Sequence, residues 1–369
     1  SKEEITMPIT ITGFRARAVA APIKYPPRPA SGAIDTAALV LIDIETNEGI
    51  TGHTYLFTFS KSMLKPTVDC FNAVCELIVG DTVSPLDIES KLRRHFTLYD
   101  THGILGCVLA GIDMAAWDIL AKSQELPLAA ALGGTPTSIK AYNSCGLWTN
   151  ETADTLPKLA QELISSGDYK AVKMRIGRPD FNLDLDAIRS VKKEIGDDIG
   201  LMADFNQSLS LNEAIKRCQA LDDEGLYWIE DPIRHDDYEG CAKIRVSINT
   251  PIQIGENLLN SLEMKKAIDA EAGDFYMPDV QRIGGVTGWL RAAALAQANA
   301  LDLSSHLFPE ISCHLLSISP TRHWLEYMDW GAGVVQEPLK IINGMAITPD
   351  RPGIGISWDE KAVEQYLVL

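Results

Sequence analysis

Two textures of apolar and polar positions divide the chain. From Ile139 onward, short apolar runs of strand type alternate with segments whose apolar residues recur every three or four positions. IKAYNSCGL reads as strand and TLPKLAQELISSG as helix. YKAVKMRIG is strand again, then LDLDAIRSVKKEIG helix, GLMADFN strand, and SLNEAIKRCQALDDEG a helix opened by a serine cap. LYWIEDP, a helix near Tyr238, PIQIGEN, SLEMKKAIDAEAG, DFYMPDV, GVTGWLRAAALAQANA and LDLSSHL continue the rhythm. Such alternation predicts parallel strands joined by helical crossovers.

The first 135 residues are different. Residues 9–22 alternate apolar and polar as a half-buried strand does, and AALVLIDIET and ITGHTYLF flank Asn47-Glu48-Gly49, predicting two strands joined by a tight turn. Between them and the first strand, at about residues 22–35, lies a loop rich in Pro, Gly and Ala, read as a lid. Ser60 to Leu132 is helical in pattern: Ser84 is placed to cap PLDIESKLRRHF, and GILGCVLAGIDMAAWDILAKSQ is apolar enough for a buried helix. The expected fold is α/β, a modified (β/α)8 barrel over residues 136–335. An α+β capping domain of residues 1–135 covers it, and residues 336–369 return to that domain.

What gives this pattern chemical meaning is the polar residue at the end of each apolar run. Lys173 and Arg175, Asp204, Glu230, Glu256, Asp279, His306 and Glu326 occupy successive strand ends. The steps from Lys173 to Asp204, Glu230, Glu256, Asp279 and His306 are 31, 26, 26, 23 and 27 residues. Each step is long enough for a helix and its return loop. In a barrel these ends converge on one mouth.

Asp204, Glu230 and Glu256 would repel one another there without a cation, and an all-oxygen donor set suits a hard divalent ion, most naturally Mg²⁺. Asp279 next to His306 suits a carboxylate that fixes the imidazole tautomer and strengthens it as a base. Glu326, if protonated, could donate to an oxyanion. Lys173 and Arg175 share a strand face and could hold a carboxylate or exchange a proton. Singly, each residue has an ordinary structural explanation; together they favour one site. The other six histidines lack such a setting.

Composition narrows the partners. The 33 Lys+Arg against 50 Asp+Glu give a net charge of −17, which argues against nucleic acid and anionic membranes. Seven scattered cysteines without a CxxC pair read as reduced thiols of a cytoplasmic protein. No basic-then-apolar leader opens the sequence, and no apolar run is expected to approach the ~20 residues of a membrane span.

AGIDMAAWD, DFNQSL, DYEG, IGGVTGW, SSHLF and HWLE, in this order along nearly the whole chain, resemble the enolase superfamily and, within it, the mandelate racemase subgroup. The resemblance implies Asp204, Glu230 and Glu256 as Mg²⁺ ligands, His306 and Asp279 as the dyad, and Glu326 as the electrophile. It implies Asn206 and Ser144 as polar site residues, Tyr55 and Met328 as apolar pocket residues, and a homo-oligomer, by family habit an octamer.

Lys173 matches the first lysine of the family's Lys-x-Lys pair, but Arg175 replaces the second. Arginine is a poor resting base. The expected reaction is therefore Mg²⁺-dependent α-proton abstraction from a small 2-hydroxycarboxylate by His306 and Asp279, dehydrating an acid sugar to a 2-keto-3-deoxy acid. The alternatives are a racemase or epimerase of a 2-hydroxy acid and a catalytically silent binding protein of the same fold. A nicotinamide dehydrogenase is disfavoured, because GIGIS near Gly353 lacks the strand–loop–helix context of a dinucleotide loop.

Overall fold

The computed structural model describes residues 8–28 and 34–369. The middle of the expected lid therefore lies outside the described residues.

Strands Ile11–Pro22, Thr36–Thr46 and Thr51–Phe57 form an antiparallel sheet in that order. Helices Leu64–Cys75, Pro85–His95 and Gly103–Ser123 pack with it. Ser84 starts its helix differently from the expectation. Its hydroxyl donates to Asp87 at 2.7 Å and does not accept a backbone N–H, so the start rests on Pro85 and Asp87.

Gly103–Ser123 has 21 residues, the length of a membrane span, which corrects the expectation that no apolar run comes close. Most of it is buried inside the protein, including Ile112, Met114, Ala115 and Ile119, and this burial accounts for its apolarity.

Among the described residues, eight parallel strands form the barrel: Ser138–Asn143, Ala171–Arg175, Gly200–Asp204, Ile229–Glu230, Ile252–Ile254, Phe275–Tyr276, Asp302–Leu303 and Leu325–Tyr327. The last pairs in parallel with the first, Leu325 opposite Ala141, and Leu303 bridges to Arg322. Helices separate the first seven strands and join the seventh to the eighth. After the eighth the chain enters a 3-10 turn, Asp329–Val334, in place of another helix. The strand Met345–Ile347 then adds antiparallel to Ser138–Asn143. The C-terminal residues lie on the first sheet, where Val368 N–H donates to Ala18 O at 2.8 Å and Arg17 pairs with Glu360.

Register sets the level of the site. Arg175, Asp204, Glu230 and Gln253 are successive partners across four strands. Tyr142, Ala171, Met202, Trp228 and Trp324 make a separate apolar cluster, with Tyr142 and Trp228 edge to face at 5.4 Å. This cluster closes the barrel with bulky rings, as interior-facing layers do.

The capping sheet is tied to the barrel mouth by polar clamps. Gln281 accepts from the N–H of Phe57 at 2.8 Å and donates to its carbonyl at 3.0 Å. Asp113, on the long helix, accepts from the N–H of Thr287 at 3.0 Å and from its hydroxyl. Burial pushes the Asp113 carboxyl up to about 7, although both Thr287 bonds oppose the shift. In the unfolded chain it ionises near the usual carboxylate value of ~4. Its contribution is therefore full at acid pH and is lost as pH rises from about 4 through about 7, by at most roughly 4 kcal/mol. Asp113→Asn is expected to flatten the dependence of the urea midpoint on pH between about 5 and 8. An unchanged slope would mean that Asp113 titrates normally.

Candidate active site

Each strand-end residue stands where a short apolar strand releases the chain into a loop. Asp204 ends the buried run GLMAD. The next turn runs through Asn206 and Gln207, both with positive φ, +47° and +63°. The turn lets the Asn206 N–H and Nδ2 donate to the two Asp204 oxygens at 2.7 and 3.0 Å. Glu230 follows Trp228, whose indole N–H donates to Glu230 Oε2 at 3.0 Å. Asp204, Glu230 and Glu256 each present an oxygen within 4.8 Å of the others.

Lys173 lies at the centre of this group and is fully buried. Its ammonium is 2.6 Å from Glu230 Oε1, 2.8 Å from Glu326 Oε2 and 3.3 Å from Asp204 Oδ2. Burial works against that charge, but Glu230 and Glu326 more than offset it, so Lys173 is held well above the ordinary lysine range. Glu230 is pushed well up by burial and by Asp204.

The His306–Asp279 dyad is formed. His306 Nδ1 lies 2.6 Å from Asp279 Oδ2. Asp279 is fixed in turn by the N–H groups of Gln281 and Arg282 at 2.8 and 3.1 Å, as an N-cap. The other ring nitrogen, Nε2, faces Glu256 Oε2 at 3.2 Å and Glu326 Oε1 at 3.9 Å. Burial lowers the imidazolium, but Glu256, Glu326 and Asp279 more than offset it, so His306 is held well above its usual range. Burial opposes the charge on Glu256 too, while His306 and Arg282 bring it to about 2.

Glu326 could donate to an oxyanion only if protonated, and its surroundings favour the ionised form. Every partner it meets is a donor: Lys173, Ser144 Oγ at 2.9 Å, the Tyr142 hydroxyl at 3.2 Å, and the N–H of Leu307 at 2.9 Å. Against burial, Lys173 and His306 hold it well below the carboxylate range. In this arrangement it is a carboxylate.

Arg175 also differs from a free cation on a strand edge. Its Nη1 donates to the carbonyls of Ser144 and Gly146 at 2.7 and 2.8 Å, and Nη2 donates to Ser144 Oγ at 2.8 Å. The guanidinium lies 4.0 Å from the ring of Trp148, whose indole N–H donates to the carbonyl of Tyr25 at 2.8 Å. Its buried Nε has no partner among the described residues. Ser144 therefore bridges Arg175 and Glu326.

Tyr55 and Met328 come together with Leu39, Phe57, Leu307, Phe308 and Trp330 around a small apolar pocket. The Tyr55 hydroxyl turns away from simple apolarity and donates to Glu310 at 2.7 Å. Asn206 is exposed, with its amide engaged by Asp204.

Two residues went unnoticed in the sequence. Asp231 is buried with Oδ2 unpartnered and φ +39°. Its only sequence signal is adjacency to Glu230. Arg282 donates to the Glu256 carbonyl at 3.1 Å, and three residues after Asp279 it falls on the same helix start. Of the remaining histidines, His53 has a carboxylate on Nδ1 as well, Asp43 at 2.7 Å, but in the capping sheet far along the chain from the strand ends. His314 is a core residue, taken to about 4 by burial.

Residues 11–133 match the mandelate racemase/muconate lactonizing enzyme N-terminal domain, and residues 155–362 match the family of enolase C-terminal-like domains. The chain belongs to the mandelate racemase/muconate lactonizing enzyme family. Within that family, an enolase from the alpha proteobacterium BAL199 with bound magnesium superposes with a TM-score of 0.95 at 39% identity, covering 98% of this chain and 100% of that one. An enolase from Bradyrhizobium complexed with magnesium and mandelic acid gives 0.94 and 38%, covering 99% and 100%. The L-talarate/galactarate dehydratase of Salmonella typhimurium is 29% identical over 327 residues, 88% of this chain and 81% of its own length.

Lys173→Met removes the cation from a buried carboxylate cluster and is expected to cost about 3–5 kcal/mol. Urea denaturation in the presence of chelator measures it. A loss below about 1 kcal/mol would show that the cluster tolerates the missing charge.

Proposed function

We propose that this chain enolises a small 2-hydroxycarboxylate at the barrel mouth and dehydrates an acid sugar to a 2-keto-3-deoxy acid. The observation that carries the reading is the opposition of one imidazole–carboxylate dyad to a cation-rich wall with no second free base. Arg175 is always charged and has three of its donors committed to Ser144 and Gly146.

The same geometry supports Mg²⁺ as the partner of Asp204, Glu230 and Glu256. Three oxygens within 4.8 Å, together with Glu326 and Asp231, outnumber the charge that Lys173 brings. The upward push on Glu230 and Asp231, from burial and neighbouring carboxylates, is the signature of a cluster short of positive charge. All-oxygen donors fit a hard divalent ion, and the magnesium named with similar solved structures agrees. Asp204, Glu230 and Glu256 would hold the ion, which would supply positive charge to stabilise a developing enediolate.

The chain's residues then divide the work. His306 Nε2 takes the α-proton, while Asp279 keeps the ring oriented through Nδ1. Lys173 donates to the substrate carboxylate, and the buried Arg175 Nε–H, unpartnered among the described residues, is a donor still to be used on the same strand. The proton on His306 leaves with the β-hydroxyl as water, and the resulting enol tautomerises to the 2-keto acid. Glu326 holds Lys173 and the Leu307 N–H in place. On this reading the described part of the capping domain, residues 8–28 and 34–135, and the C-terminal 336–369 enclose the site over a barrel of residues 136–335.

Acid-sugar dehydratases and cycloisomerases among the relatives support this choice. A second reading, racemisation of a 2-hydroxy acid with an apolar substituent, is favoured by the pocket of Tyr55, Phe57, Phe308, Met328 and Trp330 and by the mandelic acid named with the Bradyrhizobium structure.

Proton NMR of acid sugars and mandelate-like acids in D₂O with Mg²⁺ separates the two. A 2-keto-3-deoxy product is the expected outcome, and α-deuteration with inversion and no water loss would replace dehydration by racemisation. His306→Asn is expected to lower turnover by at least about 10³-fold with Mg²⁺ binding retained. Substantial residual activity would remove the dyad from the mechanism. Arg175→Lys supplies an ionisable base on the opposite face, and the expected gain is α-proton exchange with inversion on mandelate-like acids.

A further inference from the structure

Beside the barrel mouth, a cavity of about 250 Å³ opens between the start of the helix Gly103–Ser123 and the loops after Asp231, Glu256 and Asp279. Its polar lining is one-sided. Arg93, Arg282, His102 and His235 face it with Thr101 and Asn257, and no aspartate or glutamate lines it. In a chain of net charge −17 such a concentration is unexpected. It holds none of Lys173, Asp204, Glu230, His306 or Glu326, so it is separate from the carboxylate cluster.

Two features make the lining receptive. The helix that ends there has no side-chain cap and no acidic residue in its first turn. Its 21 residues direct a positive end at the cavity, where Asp100 already accepts the His102 N–H at 3.0 Å and the N–H groups from Gly103 onward remain for a ligand. The side-chain donors are also partly free. Arg93 is held from behind by Glu89, Nε to Oε1 at 3.1 Å, and His102 by Asp100 at 2.9 Å. Arg282 spends Nη1 on the Glu256 carbonyl, while among the described residues its Nε and Nη2 find no acceptor. Gly103, at φ +59° with open space where a Cβ would project, keeps the helix end uncovered.

We propose that this cavity is a binding site for a small dianion, either a phosphate group or a short dicarboxylate, held by Arg93, Arg282 and the helix end at His102–Gly103. Arginine forks and backbone N–H groups are the donors that recognise both chemistries. Arg282 joins the cavity to the carbonyl of Glu256, so the dianion sits one residue away from the candidate metal cluster.

Titration calorimetry of the full chain at low ionic strength, with inorganic phosphate and separately with malonate, tests this. The expected result is a single site, with the tighter of the two probes identifying phosphate or dicarboxylate as the source. His102→Asp supplies its own helix cap, which favours folding while placing a carboxylate where the anion sits. This variant and Arg93→Gln are expected to weaken binding by about tenfold or more with the thermal midpoint preserved in His102→Asp. Lys173→Met, assayed at a temperature where its circular dichroism matches that of the folded parent, is expected to leave binding of the probe within about twofold, because that lysine does not line the cavity. Absence of binding, an affinity unchanged in both cavity variants, or loss of binding in Lys173→Met would overturn the proposal. The last of these would place the anion at the carboxylate cluster.

Discussion

The ammonium of Lys173 is the interaction on which the mouth of the barrel depends. It is buried among Glu230, Glu326 and Asp204, and each of those oxygens would otherwise face another at close range in a medium that screens poorly. A buried ion pair is weak evidence for stability as such, because desolvation offsets much of the attraction. What it supplies is placement. Three strands, Ala171–Arg175, Gly200–Asp204 and Ile229–Glu230, are held at one level by one cation, and Leu325–Tyr327 joins them through Glu326. The floor of aromatic rings beneath, Tyr142, Trp228 and Trp324, excludes water from that level and contributes directly through the Tyr142 hydroxyl and the Trp228 indole.

Around this centre the barrel separates two kinds of basic group. His306 is supported from one side by Asp279, itself fixed by backbone N–H groups, and so has a defined ring plane with Nε2 turned towards Glu256. Arg175 is supported from the other by carbonyls and by Ser144, and its charge is permanent. A site with an adjustable proton acceptor on one wall and a fixed cation on the other is polarised along one direction. That polarity distinguishes the two walls of the site in a way that the carboxylate trio, three like charges at one level, does not.

Much of this was legible in the sequence because barrels couple two periodicities. Strand, helix and return loop recur every 23–31 residues here, so the polar residue after each apolar run is carried to the same rim, and seven such residues could be read without coordinates. The three-stranded sheet and its turn at Asn47-Glu48-Gly49 were equally plain, since alternation and a turn glycine are local signals. Non-local consequences were hidden. Nothing near Glu326 shows that all its partners would be donors, because they come from Tyr142, Ser144, Lys173 and Leu307 on other segments. Asp231 and Arg282 were missed for the same reason, their neighbours being set by where loops end. The long helix Gly103–Ser123 was legible as a buried helix from its apolarity; what was overlooked is that its 21 residues also reach the length of a membrane span, which burial on nearly every side explains.

Trp148 stacks on Arg175 and donates to the Tyr25 carbonyl. Tyr25 lies just beyond the strand Ile11–Pro22 of the capping sheet, and the guanidinium is buried in the barrel, its plane fixed by Ser144 and Gly146. One indole thus joins a backbone carbonyl of the capping domain to a cation of the barrel interior. A substitution at Trp148 touches both domains at once, while every strand of the barrel stays where it is.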